Sequence, residues 1–186
     1  GAKSNDGNGP SSGHVRVYAY SGGSWAQIGP DIDGEASGDG SGGSVSLSSD
    51  GSRIAVGAPG NASARGHVRV YAYSGSGWQK LGGDIDGEAA GDSFGWSVSL
   101  SADGSRVAVG APYNDGSSGD SGRVRVYDYR GSSWVQAGVD LDGLSARDSF
   151  GGSVSMSTDG SRVAIGAPDS DGPSGVNNGR VQVYKY

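Results

Sequence analysis

The feature that most constrains this sequence is a short hairpin written three times, each copy ending in Gly-Ala-Pro. Its fullest version is S-F-G-W-S-V-S-L-S-A-D-G-S-R-V-A-V-G-A-P, from Ser93 to Pro112. Val98 and Leu100 alternate with Ser97, Ser99 and Ser101, the period of two that sends successive side chains to opposite faces of a strand. Asp103-Gly104 reverses the chain, because glycine tolerates positive φ and aspartate hydrogen-bonds within its own turn. Val107-Ala108-Val109 returns as a second strand, and Pro112, which has no N–H, ends it. The other copies run from Gly42 to Pro59 and from Phe150 to Pro168.

The rest of the chain repeats in step with these hairpins. Val-Arg-Val-Tyr stands at 15–18, 68–71 and 124–127, and Val-Gln-Val-Tyr at 181–184. Trp25, Trp78 and Trp134 recur in the same register. Length differences fall in the segment after each Gly-Ala-Pro, as insertions into one loop of a repeated unit do. Each unit reads as four strands: Ser-Val-Ser-Leu-Ser, Arg-Val-Ala-Val-Gly, Val-Arg-Val-Tyr, and a fourth that starts at the tryptophan. No segment has a helical period, so the fold class is all-β. The expected architecture is a β-propeller of four-stranded antiparallel blades. Residues 1–40 supply strands 3 and 4 of a first blade, 41–93 a second blade, 94–149 a third, and 150–186 strands 1–3 of a fourth. These amount to about three blades, an arc of a larger ring or one completed by oligomerisation. A β-trefoil of three repeats is the alternative. Large residues on one face of each blade and Ser or Ala on the other would let neighbouring blades interlock without voids.

With 38 Gly and only 33% hydrophobic residues, a chain without a period would read as low-complexity. The period instead makes Gly and Ser turn residues and small packing residues. The net charge of −6 has no basic stripe set against it, so no nucleic-acid partner is expected. There is no Cys, and no apolar run is long enough for membrane insertion. No signal peptide opens the sequence, as would also hold for a mature or truncated chain.

Gly91 to Pro112, G-D-S-F-G-W-S-V-S-L-S-A-D-G-S-R-V-A-V-G-A-P, resembles the FG-GAP repeat of integrin alpha chain-like propellers. Phe94-Gly95 and Phe150-Gly151 carry one half of the motif; Ser41-Gly42 lacks the Phe. The resemblance implies a seven-bladed ring, and blades that hold Ca²⁺ in the hairpin between strands 1 and 2. Here that hairpin offers one carboxylate per copy, Asp50, Asp103 or Asp159, against the six to eight oxygens Ca²⁺ takes. The usual metal site is therefore not carried over.

A different loop, joining strand 4 to the next strand 1, has better spacing for Ca²⁺. It presents Asp31, Asp33, Glu35 and Asp39, then Asp84, Asp86, Glu88 and Asp92, then Asp140, Asp142 and Asp148, with Leu144 in place of the glutamate. Carboxylates at i, i+2, i+4 and i+8 around a Gly can wrap a hard cation. The plain alternative is an Asx-turn in which Asp caps backbone N–H groups. A weaker candidate set is Asn5-Asp6-Gly7, Asn114-Asp115-Gly116 and Asp169-Ser170-Asp171-Gly172. His14 and His67 share a repeat position with Arg123 and Arg180, so they read as strand-start surface residues and no catalytic set is expected. Arg53, Arg106 and Arg162 are expected in ion pairs or stacked on Tyr. The repeated tryptophans are expected between blades, while the unrepeated Trp96 is the candidate ligand-binding ring. Asn61-Ala62-Ser63 is an N-glycosylation acceptor, at Asn61.

The expected function, implied by the resemblance, is an extracellular or cell-surface, non-enzymatic module for structural assembly, adhesion or protein–protein interaction, stiffened by Ca²⁺. Self-association or further blades would complete it, with protein or glycan partners at its loops. The alternatives are a lectin-like propeller and an accessory domain of a larger secreted enzyme.

Overall fold

The structure is a computed structural model that describes residues 1–171 and 178–186. Its strands form separate antiparallel sheets in chain order. The first is a partial sheet, in which β1 (His14–Val15) pairs with β4 (Ile32–Asp33) and β2 (Tyr18–Ser21) with β3 (Ser24–Gln27). The second holds β5 (Ser44–Leu47), β6 (Arg53–Ala58), β7 (His67–Tyr73), β8 (Trp78–Lys80) and β9 (Ile85–Asp86). The third repeats it with β10 (Ser97–Leu100), β11 (Arg106–Ala111), β12 (Arg123–Arg130), β13 (Ser133–Gln136) and β14 (Leu141–Asp142). The fourth has β15 (Ser153–Met156), β16 (Arg162–Ala167) and β17 (Arg180–Lys185). Ser44 faces Gly57, Ser97 faces Gly110 and Ser153 faces Gly166, so the three hairpins share one register. These are propeller-type blades, and no barrel closes among the described residues, which removes the trefoil alternative.

The outer strand of each of the first three blades is broken. In the third blade β13 pairs with Tyr127–Arg130 of β12, and β14 pairs with Arg123 and Val124 of the same strand. The break falls at Gly138, whose φ of 76° is open to glycine at little cost. The acidic loop segment thus continues its blade, as the alternating Ile85 and Leu141 imply.

The core is three clusters, one between each pair of neighbouring blades. Strand 2 splits its side chains: Val107 and Val109 pack back on the second blade, and Ala108 forward on the fourth. The valines of strand 3, such as Val124 and Val126, pack forward beside that alanine. Large residues of one blade therefore meet the next blade across a floor of small ones.

The serines of strand 1 have a second use. Ser44 Oγ donates to the Gly95 carbonyl and Ser97 Oγ to that of Gly151, each at 2.7 Å. Ser46 Oγ accepts from Leu100 N at 3.0 Å, and Ser99 Oγ from Met156 N at 2.9 Å. The inner strands of successive blades do not pair with one another, and these hydroxyls satisfy their backbone groups across the gap. Gly57 and Gly110 make room for the same approach: a Cβ on either would lie 2.1 Å from the carbonyl oxygen of Gly95 or Gly151.

Candidate functional site

The Asp-Gly hairpin turns stay compact because the aspartate is saturated with local donors. Asp103 accepts from Ser101 Oγ, Ser105 N and Ser105 Oγ at 2.7, 3.0 and 2.7 Å, and Asp50 and Asp159 repeat the pattern. One carboxylate already engaged in this way does not fit the calcium chemistry of integrin-type blades. The hydrogen bond from Ser101, with those from Ser105, lowers Asp103 to about 2; the Ser52 N–H and the hydroxyls of Ser48 and Ser52 do the same to Asp50. A carboxylate depressed on folding stabilises the fold above its unfolded value of 3.8, and that stability is lost as pH falls toward the folded value. The thermal midpoint is expected to hold above about pH 5 and to fall between about pH 4 and pH 2. Scanning calorimetry over that range checks it; an unchanged midpoint at pH 2 would refute the assignment.

The acidic loops behave differently from the hairpins. Asp39, Asp92 and Asp148 are buried and accept backbone N–H groups from Ala36, Ala89 and Ser145. Asn61 and Asn114 of the following loop donate to Asp39 and Asp92 at 3.2 and 2.6 Å. The Asn61 amide is therefore engaged, in a segment, Asn61–Ala64, that winds left-handed with φ of 50° at Ala62 and 61° at Ser63.

Asp31, Asp84 and Asp140 lie beside the strand 3 arginines. Arg16 grips Asp31 through Nε and Nη2 at 2.9 Å; Arg69 holds Asp84 at 2.9 and 2.7 Å, and Arg125 holds Asp140 at 2.8 Å through both nitrogens. Arg16, with help from Gln27, lowers Asp31 to about 2. Arg69 is raised above its ordinary value by Asp84 and Glu35, against the opposing cost of burial.

The glutamates reach across to the next blade. Glu35 contacts Arg69 at 2.6 Å, and Glu88 contacts Arg123 and Arg125 at 2.6 and 2.8 Å. Sequence reasoning missed these inter-blade pairs, although a trace of them is visible in the repeats. Where the glutamate becomes Leu144, the arginine it would meet becomes Gln182. Asp86 meets Arg65 at 3.7 Å, and Asp142 meets Arg123 at 2.6 Å. The loop carboxylates are thus mostly matched to cations or backbone N–H groups. Among the described residues, His14, Asp31 and Asp33 form the one group of three potential metal ligands whose donor atoms converge.

Arg53 and Arg106 join blades as well. Each donates to a turn carbonyl of the next blade, Gly104 at 3.1 Å and Gly160 at 2.8 Å, and each lies over a tyrosine ring there, Tyr129 or Tyr186. Arg106 also pairs with Asp128 at 2.6 Å. The histidines depart from expectation: His14 and His67 are buried, and burial pushes the His67 imidazole below its usual value. They start the strand at the point where the next blade covers it.

Trp78 and Trp134 pack on the preceding blade and donate to Ile28 O and Leu81 O at 3.0 and 2.8 Å. Trp25 meets the ring of its own Tyr20 at 5.2 Å and is exposed. Trp96 stands exposed beside an exposed Tyr113, the rings edge to face at 5.5 Å. In the weaker loop set, Asn5 and Asn114 form Asx-turns with Gly7 and Gly116. Asp169 accepts from Ser149 Oγ at 2.7 Å, and Gly172 lies outside the described residues.

A family model described as the FG-GAP repeat matches residues 85–127 and 140–184. No curated protein sequence matches the chain. Among solved structures, a hydrazine synthase of Kuenenia stuttgartiensis is similar over 76% of this chain, at 12% identity and a TM-score of 0.48. The chain spans 32% of the length of that one. No helix among the described residues is long and apolar enough to cross a membrane.

Proposed function

We infer, from the premise that this is a chain of FG-GAP repeats folded as propeller blades, that it is an interaction module that works by stacking blade on blade. In finer terms it is an extracellular, non-enzymatic part for structural assembly or adhesion, and its partner surface is a bare sheet face. One observation carries this reading. The last blade turns outward the two valines that every earlier blade buries.

Val181 and Val183 are 72% and 64% exposed, while Val68, Val70, Val124 and Val126 are 0% exposed. Burying such a side chain contributes about 1.5–3 kcal/mol, so leaving two of them in water forfeits a large contribution. Beside them lies an open groove of about 540 Å³ lined by Gly152, Ser153, Gly166, Ala167 and Val181. In the two blades before it, the corresponding place receives the Gly95 or Gly151 carbonyl of the following blade. Ser153 and Arg162, the counterparts of Ser97 and Arg106, likewise meet no following blade among the described residues. The opposite end is bare too, with Tyr20, Trp25, Val45 and Leu47 exposed.

Two unlike apolar faces on one chain favour head-to-tail contact between copies, which either closes a ring or propagates. The proposed occupant is another blade of this kind, and for the 186-residue chain by itself only a second copy can supply it. Sedimentation velocity across the micromolar range tests it: the chain should associate with rising concentration, and a V181D/V183D variant should stay monomeric. A monomer at every concentration, or a variant that associates as the parent does, would overturn the reading.

A further inference from the structure

We propose that the first blade holds a divalent transition-metal ion, of which Zn²⁺ is the best match, between His14, Asp31 and Asp33. This proposal stands apart from the stacking reading. One ligand atom from each of the three lies within 4.8 Å of the others. The register produces the cluster, since His14 of β1 and Asp33 of β4 are direct cross-strand partners. Directly opposite residues project to the same face of a sheet, and Asp31, two residues before Asp33, shares that face.

Two observations separate this cluster from an ordinary group of surface acids. The first is the imidazole. His14 is only 9% exposed, and no hydrogen bond or ion pair joins its ring to another described residue, yet the ring nitrogen faces both carboxylates. A largely buried imidazole whose nitrogens are engaged by no other described residue is available as a ligand.

The second is the comparison with the other blades. The counterpart of Asp33 in the second blade, Asp86, is met by Arg65; in the third, Asp142 is met by Arg123. In the first blade Ser12 occupies the position of Arg65, and Asp33 has no cationic partner among the described residues. Asp31 is held by Arg16 and Gln27, but an ionised carboxylate has about four lone-pair sites and retains capacity for a metal. The two carboxylates and Arg16 together leave a formal charge of −1 for the incoming cation.

The donor set decides the class of ion. One imidazole and two carboxylates suit Zn²⁺ and its first-row neighbours, with water as a fourth ligand, whereas Ca²⁺ takes six to eight oxygens.

The test uses the 186-residue chain after chelator treatment. Titration with Co²⁺, followed by visible absorption, and with Zn²⁺ by calorimetry should each show saturable binding of one ion. H14Q and D33N should each weaken binding by about 10–100-fold or more, outer-shell losses setting the lower bound. H67Q should leave it unchanged. Because His14 is buried, the exposed D33N variant keeps the test decisive if H14Q does not fold. No saturable binding, binding that survives D33N, or displacement of Zn²⁺ by equimolar Ca²⁺ would overturn the proposal.

Discussion

Replacing Gly110 by Ala is expected to destabilise the chain by about 3 kcal/mol, while the same change at Gly166 is expected to stay within about 1 kcal/mol. The two glycines hold the same position in consecutive hairpins, facing Ser97 and Ser153. A Cβ at Gly110 would sit 2.1 Å from the Gly151 carbonyl oxygen of the next blade, so two sheets would have to separate. At Gly166 the added atom meets only Ser153, whose Oγ at 2.4 Å can rotate away. Neither glycine has a positive φ, so alanine suits the backbone at both sites and reduces the freedom of the unfolded chain. Urea unfolding at low protein concentration separates the cases. For a chain of this size a loss of about 3 kcal/mol is a fall of about 6–12 °C in Tm. Equal losses at both positions would mean that the Gly-Ala-Pro glycine serves its own strand and not the contact between blades.

The tryptophans provide the second large contrast. Trp78→Ala is expected to cost about 3–5 kcal/mol and Trp25→Ala about 0.5 kcal/mol or less in the monomer. Trp78 is 9% exposed, fills the cluster between the first two blades and donates to Ile28 O. Trp25 leans on Tyr20 much as Trp78 leans on Tyr73, yet it is 69% exposed because no other blade among the described residues packs against it. Denaturant midpoints of the two variants, measured where the parent is monomeric, check this. A Trp25→Ala loss comparable to that at Trp78 would show that the tyrosine contact within the blade, common to both, carries the energy.

The all-β class, the hairpin registers and the blade as the unit of repetition were legible in the residues. Val98 and Leu100 alternate with serines, Asp103-Gly104 turns the chain, and both follow from local sterics and a period of two. The acidic loops were legible as loops, but their chemistry was not. Glu35 and Arg69 are distant in sequence and meet only because one blade stacks on the next. The burial of His14 and His67 has the same origin, since a residue at the start of a strand looks exposed until a neighbouring sheet covers it.

By itself, then, the sequence determined the blade: strand order, turn positions and which face of each strand carries large or small side chains, all set by contacts within a few tens of residues. Only the tertiary structure decided what each repeated residue is worth. Trp25 and Trp78, Gly110 and Gly166, Val124 and Val181 are pairs equivalent in the repeat, and they differ because one member has a neighbouring blade against it and the other has water. A stacking energy belongs to the interface between two sheets, and no single repeat contains one.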